Sequence, residues 1–329
     1  MTDSDEADVA WMMDIKSVPP SSARAFGVYG ERHSSCPYSR AWESRCVWTS
    51  PLPTPPPLPP PLPSDRRAHR LLIIGDSIDS QLFSATACLL HAHGVGIEFR
   101  AEWQNSVAAL KKRCGDRRLL DFSFTDRCHY TSASLRVSGP LAGRLPFDEL
   151  HLCQDDRRIC IERLQFNPSH DVVLMGSDAL HRSAYGVQGM FVRGVMNGTL
   201  ARIHAQWDVS EALALVPSAR LIWRETTAQH FSGKGGHWGA GFMMSSNIER
   251  LSSRCTEHGM HHMRAHSHWN AAVDSFLSGH SSVRVLRVWN VSAQAWWAHV
   301  DAADCTHYCV PGIPTTWAGA LLEAASASR

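Results

Sequence analysis

Apolar and polar positions follow no period over residues 1–66 of this chain and a clear one from residue 67 onward. Arg70 to Gly75 (RLLIIG) is an apolar run closed by glycine, the pattern of a strand buried on both faces. Gln81 to His91 then carries apolar side chains at helical spacing. Asp171 to Gly176 (DVVLMG) repeats the strand pattern, and the segment from Ser183 to Ala205 reads as helical in its later part. Ala219 to Arg224 (ARLIWR) predicts a third strand, and Ser282 to Trp289 (SVRVLRVW) alternates as a fourth. Strands alternating with helix-length segments predict an α/β protein with a mostly parallel sheet covered on both faces. In such sheets the binding crevice lies beyond the carboxyl ends of the strands.

Residues 1–66 read differently. Pro51 to Pro63, PLPTPPPLPPPLP, favours an extended polyproline helix and excludes regular helix or sheet pairing. This predicts a low-complexity, disordered extension over residues 1–66 and a folded domain over 67–329. The proline run suits a stiff spacer; its PxxP spacing also fits an SH3- or WW-type groove. Cys36 and Cys46 fall in this extension.

Composition narrows the classes. Hydrophobic residues make up 44% and charged residues 19% of the 329, as in soluble globular proteins. Thirty-two basic against 31 acidic side chains leave a formal charge of +1, without the basic excess that nucleic-acid binding uses. No stretch approaches the roughly 18 apolar residues of a membrane span. Ten cysteines, an even number, fit disulfides in an oxidising compartment, with reduced buried thiols as the alternative. The sequons Asn197-Gly198-Thr199 and Asn290-Val291-Ser292 are compatible with a secretory route. The acidic start, Met1 to Glu6, is followed by no apolar signal region and points the other way.

Candidate chemistry begins where the first strand ends, at Gly75-Asp76-Ser77. A serine at a strand-to-helix turn projects its hydroxyl into the crevice. The adjoining helix N-terminus offers N–H groups to a developing oxyanion. Near the other end, Asp304-Cys305-Thr306-His307 is a DxxH motif that brings a carboxylate and an imidazole into one turn. His307 is thus a candidate base for Ser77, with Asp304 as its orienting carboxylate. Either motif alone is weak: a helix cap and a surface pair are commoner.

The stretch from Asp304, DCTHYCVPGIPTTWAGALLEA, closely resembles the C-terminal signature of the trichome-birefringence-like proteins, the PC-esterase branch of the SGNH superfamily. Trp223 to Trp238, WRETTAQHFSGKGGHW, resembles a second block of that family, IIGDSIDSQL a third, and Asp171 to His181 its third strand and loop. The blocks run in order over about residues 69–325. The resemblance implies a three-layer α/β/α sandwich and a Ser77–Asp304–His307 triad. It also implies O-acyl transfer between a donor and glycan hydroxyls in the Golgi lumen, with no cofactor beyond an acyl donor. Under it, Ser77 and Gly176 supply oxyanion N–H groups, and Cys305 and Cys309 are disulfide-bonded, with Cys255 as one partner. Two positions depart from the family: Ser80 stands where an Arg is common, and Gly176-Ser177-Asp178 where wider SGNH hydrolases carry an Asn.

Other features rank lower. Arg224 and His230 follow the third strand and are candidates to contact glycan or acyl donor, or to serve the fold. His258, His262 and His266 would share one helical face, as metal ligands or as a solvated polar face; the second reading is preferred and no metal is expected. Trp289, Trp296 and Trp297 suit sugar stacking or a core. Rivals to an acyltransferase are an esterase with the same triad and a catalytically silent glycan-binding protein.

Overall fold

The computed structural model describes residues 56–63, 67–102, 132–154, 156–176, 198–230, 255, 264–299, 305–310 and 312–327. Seven strands form one sheet in the order β2-β3-β4-β1-β5-β6-β7. They are β1 Ala68–Ile74, β2 Gly96–Glu102, β3 Ser132–Ser138, β4 Phe147–Cys153, β5 Asp171–Gly176, β6 Leu221–Arg224 and β7 Arg284–Leu286. β4, β1, β5, β6 and β7 run parallel. β3 pairs antiparallel with both β4 and β2, so the sheet carries an antiparallel edge.

The helices are α1 Ser77–Ala92, α2 Arg157–Arg163, α3 Gly198–Leu215, α4 Arg264–Leu277, α5 Trp289–Ala293 and α6 Ile313–Ser326. The two-residue period of β1 shows how they layer. Leu71 and Ile73 belong to one apolar cluster, with Leu82, Phe83 and Leu89 of α1 and Trp317, Leu321 and Leu322 of α6. Leu72 and Ile74 belong to another, with Ala205, Val209 and Ala212 of α3 and Trp269, Val273 and Leu277 of α4. Successive β1 side chains thus face opposite helical layers. The result is a three-layer α/β/α sandwich, as the sequence predicts.

Strand order reverses at β1, which lies between β4 and β5. The turn after it opens α1 at the topological switch point, where α/β sheets form their crevice. The Asp76 carboxylate accepts from the Ile78 and Asp79 N–H groups, and the Asp79 carboxylate accepts from Asp76 N–H at 3.1 Å. This reciprocal cap fixes where α1 begins.

Some local expectations change. The helix expected in the later part of 183–205 is α3, which is described from Gly198 and continues to Leu215. The predicted strand 282–289 shortens to Arg284–Leu286, because Glu225 Oε2 accepts from Val288 N–H and Trp289 N–H and turns the chain into α5. β2, β3 and β4 were not predicted. The stretch 56–63, placed by composition in a disordered extension, packs on the domain from Pro56 onward. Leu58 is buried in the α1–α6 cluster, the Pro56 carbonyl lies 2.7 Å from His93 Nε2, and Pro56 lies over Gly319 of α6. Residues 1–55, with Cys36 and Cys46, lie outside the described residues.

Candidate active site

Ser77 is the first residue of α1, and His307 lies 230 positions later in the segment before α6. Ser77 Oγ and His307 Nε2 are 2.8 Å apart, and both residues are buried. That is the contact a nucleophile and its general base require. Asp304 lies outside the described residues. The Asp76 carboxylate takes the N–H groups of Ile78 and Asp79. Among the described residues no acceptor takes the Ser77 N–H. It is therefore a donor at the positive end of α1.

The segment carrying His307 is held at nearly every residue. Cys305 is disulfide-bonded to Cys255, and its carbonyl accepts from His230 N–H at 3.0 Å. Thr306 Oγ accepts from Gln229 Nε2 at 3.0 Å. The His307 carbonyl accepts from His299 Nδ1 at 2.8 Å, and His299 Nε2 lies 2.8 Å from His230 Nδ1. Tyr308 O–H donates to the Ala228 carbonyl at 2.8 Å, and burial pushes the phenol well above its ordinary range. Tyr308 N–H and C=O both pair with the Gln81 amide of α1. Cys309 N–H donates to the Ala298 carbonyl at 2.9 Å, and Cys309 is itself disulfide-bonded.

Arg224, a candidate to contact glycan or acyl donor or to serve the fold, makes the following contacts within the fold. Its Nε lies 2.5 Å and its Nη2 2.9 Å from the Asp79 carboxylate, and Nη1 donates to the Glu225 carbonyl at 2.8 Å. The guanidinium is 2% exposed, so its donors are committed inward. His230, the other expected contact, is fully buried between Ala293 and His299. For both residues these contacts lie within the fold, where the segment after β6 holds the His307 segment.

Gly176 ends β5 opposite Arg224. A Cβ there would lie 2.3 Å from Arg224 Nη2 and 2.8 Å from Asp79 Oδ2. At Gly75 a Cβ would lie 1.8 Å from Asp79 Oδ2. Both strand-ending glycines make room for the ion pair, which is a use the sequence did not announce. Arg157, fully buried, donates from Nη2 to the Gly176 carbonyl at 2.8 Å and holds that strand end from the opposite layer.

Two bridges have both partners among the described residues, Cys255–Cys305 and Cys153–Cys160, the latter joining the end of β4 to α2, and Cys88 of α1 is disulfide-bonded as Cys309 is. Cys255 is thus the partner of Cys305. Trp289 is buried against Ala228 and Ala293, a core position rather than a stacking platform. His258 and His262 lie outside the described residues.

Sequence reasoning missed Asp79, Gln81 and His299. Asp79 and Gln81 lie within the GDS-to-helix segment, where a carboxylate and an amide on an otherwise apolar, buried helix are themselves a signal.

No family model matches the chain. It is similar to protein trichome birefringence-like 14 of Arabidopsis thaliana, with 24% identity over 294 residues, covering 75% of this chain and 67% of that protein. A structural match to an α/β-hydrolase enzyme from the metagenome of Lake Arreo, Spain, covers 80% of this chain and 97% of that one, at 15% identity and a TM-score of 0.35. That score carries no weight for the fold, which rests on the strand order above. The chain is therefore similar to a protein of the group that its terminal motifs resemble, and its Ser77–His307 contact is an arrangement of the esterase and acyltransferase kind.

Proposed function

We propose that the chain is a serine-dependent O-acyltransferase that moves acetyl groups onto glycan hydroxyls through an acyl-Ser77 intermediate. The observation that carries this reading is the 2.8 Å contact between Ser77 Oγ and His307 Nε2, made at the switch point of the sheet. The similarity to protein trichome birefringence-like 14 supports it. His307 takes the Ser77 proton as Oγ attacks the donor carbonyl, and returns that proton to the leaving group. An acceptor hydroxyl then gives its proton to His307 and attacks the acyl carbon, and the proton returns to Ser77 Oγ. The Ser77 N–H stabilises the oxyanion of both tetrahedral intermediates. Asp304 is proposed as the carboxylate that orients His307. The disulfides support an oxidising, secretory compartment.

An esterase that uses water as acceptor shares the acyl-enzyme. Mass spectrometry after rapid quench with acetyl donors should show acetyl on Ser77 and none on Ser77→Ala. Oligosaccharide added to the acylated enzyme before the quench then decides between transfer to sugar and release of acetate. A quenched enzyme acylated elsewhere, or full turnover by Ser77→Ala, removes the reading.

A further inference from the structure

Of the groups that hold the His307 segment, Gln81 comes from the nucleophile's own helix. It lies four residues after Ser77, one helical turn along the same face. Its side chain is fully buried. Nε2 lies 2.5 Å from the Tyr308 carbonyl oxygen, and Oε1 accepts from Tyr308 N–H at 3.1 Å. A primary amide offers one donor edge and one acceptor edge, as a strand neighbour does, so both backbone groups next to His307 are satisfied by one side chain. Other restraints among the described residues come from the segment after β6, from His299 and Ala298, and from disulfides. Gln81 fixes the segment to α1.

We infer that Gln81 is a positioning residue that sets the Ser77–His307 distance by tying the main chain of Tyr308 to the helix that carries Ser77. The inference rests on the proposed roles of Ser77 and His307. Serine and base then share one rigid frame, and movement of the loop against the sheet leaves their separation unchanged. A nucleophile and base displaced by about 1 Å lose on the order of a hundredfold in rate.

The test uses the full chain with 4-nitrophenyl acetate as substrate and a fluorophosphonate to titrate reactive Ser77. Gln81→Met keeps length and removes both hydrogen bonds. Gln81→Glu keeps size and acceptor and loses the donor to Tyr308 C=O, and it serves where the Met variant does not fold. The expected result is a fall of about a hundredfold in kcat per titrated site with KM changed less than about threefold, the split that marks lost transition-state geometry. A purely structural contact predicts fewer titratable sites with unchanged kcat per site, and that result overturns the inference. Ser77→Ala, run alongside, separates the two readings. Turnover surviving in Ser77→Ala removes the serine mechanism and the positioning role with it. Turnover lost in Ser77→Ala but unchanged per site in the Gln81 variants removes the positioning role alone.

Discussion

Asp79 and Arg224 stand 145 residues apart in sequence and meet as a buried, two-pronged ion pair in the first turn of the helix that begins with Ser77. Burial pushes the Asp79 carboxyl above its ordinary range, and Arg224 pulls it back. Taking one partner away leaves the other charge buried and alone, at a cost of about 3–5 kcal/mol. Asp79→Ala and Arg224→Ala should each lower the unfolding free energy from urea denaturation by that order. Replacing both with apolar side chains of similar volume should recover much of the loss. A double variant as unstable as the sum of the singles would mean the two charges are not coupled.

Gly75 is the second predicted weak point. A methyl group there would occupy the place of Asp79 Oδ2, so the carboxylate must leave both Arg224 and its cap on Asp76 N–H. Gly75→Ala should cost about 1–3 kcal/mol, as overpacking does elsewhere. It should also slow turnover, since the displaced residue sits in the same helical turn as Ser77. Thermal unfolding and kcat, measured on one preparation, check both halves.

The Cys255–Cys305 bridge closes a 50-residue separation and ends two positions before His307. Removing it with Cys255→Ser should cost about 2–4 kcal/mol, with loss of loop restraint as the main cause. Mild reduction of the wild-type chain should slow fluorophosphonate labelling of Ser77 before global unfolding is seen by circular dichroism. Labelling that survives full reduction at the native rate would show that the hydrogen bonds alone hold His307.

His151 on β4 supplies a pH dependence. Burial lowers its pKa below the ordinary value, against the opposing pull of Glu149, whose carboxylate lies 3.0 Å away. The unfolded chain therefore binds a proton that the folded chain refuses in the window below about 6.5. Stability should fall as pH drops through that window. His151→Gln should flatten the slope there, read as urea midpoint against pH.

The alternation of apolar runs and helical segments made the layers legible, since β1, β5 and β6 are buried on both faces and carry unbroken apolar runs. β2, β3 and β4 were harder. GIEFRAE, SASLRVS and FDELHLC alternate at best; β2 and β3 form the antiparallel edge, and β4 joins it to the parallel strands. Ser77 and His307 were legible from short motifs at the chain's two ends. Asp79, Gln81 and Arg224 were not, because their partners are set by three-dimensional neighbours more than a hundred residues away in sequence. In sequence Arg224 admits two readings, facing a ligand or serving the fold, because a charge after a parallel strand can do either. Here two glycines open a space that draws it inward.

Pro56 over Gly319 has a consequence for where the chain can be trimmed. Composition suggests a cut at residue 67, yet such a cut strips Leu58 and Pro56 from α1 and α6. The bared face would include Gly319 of α6 and the apolar cluster that α1 and α6 share. A fragment beginning at residue 67 should therefore be stickier and less heat-resistant than one beginning at residue 55, and light scattering on heating will rank the two.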